Sequence, residues 1–142
     1  MDYEDFTTNS VGLGEEFWKA RSKEKDVKSK RYLLAAQLVE SQRVHISTLN
    51  KCGILASELS FKCNRNYFDI LPLAVVQFYE RAEELIDSPV DVIIDELKLS
   101  VEASLVNEAS WDASQFEKES THLEEILKKL REEEYGVVSE DE

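Results

Sequence analysis

The chain has 142 residues, a formal net charge of −13, 33% charged and 42% hydrophobic residues, which suits one domain with a real core. Its four glycines and two prolines are too few for the turns of a sheet protein of this length, and its two cysteines too few for a disulfide scaffold. An acidic chain repels phosphate, which sets nucleic acid aside as a partner; no apolar run approaches the ~20 residues that span a bilayer.

Residues 1–14 read as an acidic, flexible tail, with Tyr3 and Phe6 standing among acids. The tail lacks the apolar stretch of a secretion signal. With so few cysteines, the expected setting is intracellular and cytoplasmic, with the nucleus left open. A helical domain is expected over 15–134 and a second acidic tail over 135–142.

From Glu15 to Asn64 there is one glycine and no proline. Ala35, Leu38, Gln42, His45, Leu49, Cys52, Ala56, Leu59 and Cys63 follow in steps of three and four, the spacing of a heptad seam. The spacing predicts one helix over 15–64. Gly53 is its weak point, at a cost of about 1 kcal/mol relative to alanine. Gln42 and His45 form a polar layer in the seam, of the kind that fixes register or responds to pH. On such a helix Cys52 and Cys63 share a face but sit ~16 Å apart along the axis. That excludes a disulfide or a shared zinc ion between them and leaves packing as their role.

The segment 19–31 is the one basic stretch. Lys19, Arg21, Lys23, Lys25, Lys28, Lys30 and Arg31 stand there against Glu24 and Asp26. It is a candidate anionic-surface patch for a peripheral membrane-binding helical dimer. The competing expectation is pairing within the chain. If the first and last helices run antiparallel, this basic start meets the acidic end of the molecule.

Asn64-Arg65-Asn66 reads as a polar turn. A second helix is predicted over 70–87, with Pro72 in its first turn. Ser88 then reads as an N-cap and Pro89 as the first position of a third helix over 89–134. Leu99, Val106, Ala109, Ala113, Phe116, Ser120, Leu123, Leu127 and Leu130 form its seam, with Trp111 and Asp112 a candidate local break. Gly136 is the expected stop. Leu123, Ile126, Leu127 and Leu130 are the candidate partner interface.

Chemical motifs are scarce. Glu119 and His122 match the Glu-x-x-His element of di-iron bundles, but that site needs a second copy and two more glutamates. His45 follows Gln42, not a glutamate, so a solvated helical histidine is the expectation for His122. Ser139 precedes three acids, a weak match to an acidic-directed kinase site. No phosphate loop, serine elbow, zinc motif or calcium loop appears, and no catalytic, cofactor or metal residue is assigned.

The fold class expected is all-α, an elongated antiparallel bundle of three helices with acidic tails. Val92, Ile93, Ile94, Leu97 and Leu99 nearly surround their segment, as do Ile54, Leu55, Leu59 and Phe61. Two apolar faces imply two neighbours. The function expected is therefore that of a non-enzymatic interaction protein, a homodimer or a subunit or adaptor of a larger complex, which binds partner helices.

Overall fold

The computed structural model describes residues 13–84 and 87–140. Among the described residues the chain is all-helical, with five helices and no strand: α1 (Leu13–Glu40), α2 (Ile46–Cys63), α3 (Tyr67–Glu84), α4 (Val90–Glu108) and α5 (Ala113–Glu140). Five helices replace the three expected. The expected tail over 1–14 lies outside the described residues except for Leu13 and Gly14, which begin α1.

The expected helix over 15–64 breaks at Gln42, not at Gly53. Gln42 takes the left-handed conformation, with φ 63°. The N–H of Arg43 then bonds back to Leu38 O at 2.9 Å and that of Gln42 to Val39 O at 3.0 Å. These bonds satisfy carbonyls that a helix end leaves open, as in a Schellman turn. Val44 is buried just beyond, as is Leu38. Across this turn the three–four spacing rests only on Gln42 and His45, both exposed, so no buried stripe runs through it. α2 runs unbroken through Gly53. A Cβ there would stand 3.0 Å from Tyr67 Oη, so the missing side chain admits the tyrosine.

α2 ends at Asn64, in the left-handed region with φ 53°, where its N–H bonds to Ser60 O. Ser60 Oγ donates to Arg65 O at 2.9 Å, and Asn66 Oδ1 accepts from the Phe68 N–H at 2.8 Å, closing the turn and capping α3. α3 starts at Tyr67 rather than 70, which places Pro72 in the second turn. Pro89, not Ser88, is the N-cap of α4, with extended backbone (ψ 147°) and its carbonyl accepting from Val92 and Ile93.

The expected third helix is broken after Glu108. Asp112 Oδ1 accepts from the Gln115 N–H at 3.0 Å while Gln115 Oε1 accepts from the Asp112 N–H at 2.9 Å. That reciprocal pair is a capping box. The Trp111 and Phe116 rings meet edge to face with centroids 5.1 Å apart, clamping the entry to α5. α5 continues through Gly136 to Glu140, so the expected stop at 136 and the tail from 135 are not observed there.

The helices belong to two compact units. The first covers residues 31–110 and contains α2, α3 and α4. α3 packs on both α2 and α4, and α2 also packs on α4. Being flanked twice, α3 is buried on several faces, through Ile70, Leu73, Ala74, Val75, Val76 and Phe78. α2 supplies Cys52, Leu55, Ala56 and Leu59, and α4 supplies Ile93, Leu97, Val101 and Leu105. Each fully buried leucine contributes about 1.5–3 kcal/mol. Gln77 of α3 ties to α4, accepting from Ser100 Oγ and donating to Ser104 Oγ, both at 2.8 Å.

The second unit is described over residues 13–30 and 111–140. Phe116, Ser120, Leu123, Leu127 and Leu130 are its buried positions on α5, with Val27 on α1.

Helix direction also departs from the expectation. Lys30 bonds Glu124 and Ser120 bonds Asp26, each pair separated by 94 residues; Lys23 pairs Glu117 at the same offset. A constant difference in residue number means that α1 and α5 run parallel. α2 and α4, linked at a constant offset of 40, are parallel as well. The antiparallel hairpin of long helices is therefore replaced by two parallel pairs.

Candidate interaction surface

α2 and α4 define the surface. Three ion pairs join them side by side: Lys51 to Asp91 at 2.7 Å, Glu58 to Lys98, and Lys62 to Glu102 at 3.0 Å. Arg65 Nη2 extends the series, donating to Leu105 O at 3.1 Å. Beside Glu58, with further help from Glu102 and Asp95, the Lys98 ammonium is held above its usual range.

At about 100° per residue, each helix divides into three strips. On α2 the buried residues Cys52, Leu55, Ala56 and Leu59 form one strip and the ion-pairing residues the next. Beyond them lie Ile54 and Phe61, both exposed, while the exposed Ile46 sits further round the helix. On α4 the order is the same: Leu97, Val101 and Leu105 inside, the ion-pairing residues next, and Val92, Leu99 and Val106 outside. The two apolar strips therefore flank a charged ladder on the side facing away from α3. Phe61 is 88% and Leu99 71% exposed, so the chain itself gives these side chains almost no cover. Single exposed apolar residues are ordinary; two aligned strips are a patch.

The residues expected to carry function are placed elsewhere. Leu123, Leu127 and Leu130 are buried by the chain itself and Ile126 is half-buried, so this seam is already occupied. The seam drawn through Leu99 and Val106 lies on the outer face of α4, while Leu97, Val101 and Leu105 face inward. Gln42 and His45 do not form a buried layer. Both are exposed in the α1–α2 turn, where they line an open depression of about 460 Å³ with Val39, Val44, Ile46 and Ser47.

The basic segment is largely neutralised within the chain. Lys19 pairs Glu15, Lys23 pairs Glu117, and Lys28 pairs Glu24. Lys30 bonds Glu124 at 2.7 Å and Ser120 Oγ at 2.6 Å, and lies 3.4 Å from Asp26. Burial works against the Lys30 charge, but Glu124 and Asp26 outweigh it and hold the ammonium above its usual range. The Ser120 hydroxyl, with help from Lys30, holds the Asp26 carboxyl below its usual range against some burial. Arg21 is exposed and has an interaction partner; Lys25 is exposed.

Arg31 is not a surface residue. Its Nη2 meets Glu108 Oε1 at 2.7 Å, with the two side chains 5% and 8% exposed, while its Nε has no partner. Sequence reasoning missed this pair, because Glu108 stands in the polar stretch Asn107-Glu108-Ala109-Ser110 with nothing to mark it as buried.

Cys52 is buried and packed, and burial pushes its thiol up to about 12; Cys63 is half-buried near the end of the same helix. Neither is in a disulfide. His122 is exposed on α5. Among the described residues no group of three or more His, Cys, Asp or Glu is arranged to hold a metal ion, and no helix is long and apolar enough to cross a membrane.

Comparison with protein-family models gives no match, and comparisons with curated proteins and with solved structures give none either.

Proposed function

We propose that this protein is a non-enzymatic helical interaction module, which works by presenting the outer face of α2 and α4 to a partner helix surface. The observation that supports this reading is the pair of uncovered apolar strips, Ile54 and Phe61 on α2 and Val92, Leu99 and Val106 on α4. Water around such aligned side chains is released on docking, and that release drives association. The charged ladder between the strips sets which surface fits and in what register. The earlier candidate at Leu123–Leu130 gives way to this face, since its side chains already pack within the chain.

Particle mass is the test. The full chain should sediment above the mass of one copy, alone or in cell extract. Leu99→Asp, which places a charge in the outer strip and touches no core position, should return it to one copy with its helical circular dichroism intact. A wild-type chain that remains a single copy in both settings overturns the proposal.

A further inference from the structure

The geometry points to a second copy of this chain as the partner, docked face to face with α2 of each copy running parallel to α4 of the other. The inference rests on the interaction reading above and names the occupant of that face.

Register is the first argument. Residue n of α2 lies level with residue n+40 of α4, as the ladder shows. On that scale Ile54 and Phe61 of α2 stand at levels 54 and 61, and Val92, Leu99 and Val106 of α4 at levels 52, 59 and 66. The two strips alternate in height. A twofold axis lying between the faces and parallel to the helices sets α2 over α4 of the second copy at equal levels. Ile54 then enters between the second copy's Val92 and Leu99, and Phe61 between its Leu99 and Val106. That is knobs-into-holes spacing. Because the arrangement is twofold, every such contact is made twice and the assembly closes at two copies.

Charge is the second argument, and it fits the parallel direction. Along α2 the ladder reads Lys51, Glu58, Lys62; along α4 it reads Asp91, Lys98, Glu102. In the parallel arrangement Lys51 meets the second copy's Asp91, Glu58 its Lys98 and Lys62 its Glu102, so every rung faces an opposite charge. Turning the second copy end over end about the midpoint of the ladder sets α2 on α2 and α4 on α4. Lys51 then approaches the second copy's Lys62, and Asp91 its Glu102. Like charges so placed disfavour an antiparallel dimer centred on the ladder.

Purified full-length protein at high micromolar concentration should therefore scatter light with about twice the 16.4 kDa of one copy. Leu99→Asp on α4 and Phe61→Ser on α2 should each halve that mass and leave the helical circular dichroism unchanged. Direction is read with spin labels at Ser47→Cys and, separately, Ser57→Cys, in a Cys52→Ala, Cys63→Ser background that still scatters as two copies. A parallel dimer gives inter-copy distances within a few ångström of each other at the two sites. In an antiparallel dimer the Ser47 distance exceeds the Ser57 distance by tens of ångström at 1.5 Å of rise per residue, and that result overturns the inference. A pure chain of one-copy mass also overturns it. If that chain nevertheless gains mass in extract, and loses it with Leu99→Asp, self-pairing fails while the interaction role stands.

Discussion

Two residues show how local chemistry departs from local pattern. Arg31 belongs to a basic run, yet it alone turns inward to a carboxylate, Glu108. Removing one partner of a buried pair strands the other charge, so Glu108→Ala should cost about 3–5 kcal/mol in urea unfolding, whereas Arg31→Met with Glu108→Leu should cost far less. Gly53 presents the opposite case: a helix interior glycine that the helix tolerates because Tyr67 Oη fills its place. Gly53→Ala alone should gain less than the ~1 kcal/mol that helix propensity supplies, and the gain should rise in a Tyr67→Phe background. A double-mutant cycle on thermal unfolding measures the difference; equal effects in both backgrounds would remove Tyr67 from the explanation.

At the scale of helices, the breaks decide the fold. The break at 109–112 was legible: Trp111, Asp112, Gln115 and Phe116 stand at the spacing of a capping box with its apolar clamp. Asp112→Ala should cost about 1 kcal/mol of stability in denaturant titration. Gln42→Gly should raise it by up to about 1 kcal/mol, since glycine takes the left-handed turn without strain. The break at Gln42 was not legible, because a glutamine stands where a helix stop usually shows glycine, and the polar pair Gln42 and His45 keeps the three–four spacing across the turn. Parallel direction was hidden for another reason: ion pairs 40 or 94 residues apart leave no trace in a local window. The two-faced character of α2 and α4 could be read directly, since Ile54, Phe61, Val92 and Leu99 were surplus to any single buried stripe. What no stripe count could settle was which face turns inward on α4.

For the molecule as a whole, acid and base act on the cluster of Asp26, Lys30, Ser120 and Glu124. Asp26 has its folded pKa lowered, chiefly by the Ser120 hydroxyl. Its contribution is present above the unfolded carboxyl value of about 3.9 and disappears as pH falls through the lower folded value. Lys30 has its folded pKa raised, as Glu124 and Asp26 overcome burial. Its contribution is complete below the unfolded value of about 10.4 and fades as pH climbs through the raised one. Both are therefore in force across neutrality. Ser120→Ala should weaken the protein at pH 7 and converge on wild type below about pH 4, followed by urea midpoints against pH. A gap that stays constant into acid would assign Ser120 a packing role alone.

The rungs between α2 and α4 also carry a consequence for how the chain assembles. Neighbours in sequence can meet early, but each rung closes a loop of 40 residues and waits until α3 has turned the chain back. The rungs are thus among the last connections made and the first released. Stopped-flow traces of Lys98→Ala should show faster unfolding with the refolding limb almost unmoved, and a slowed refolding limb would place the rungs in the folding nucleus instead.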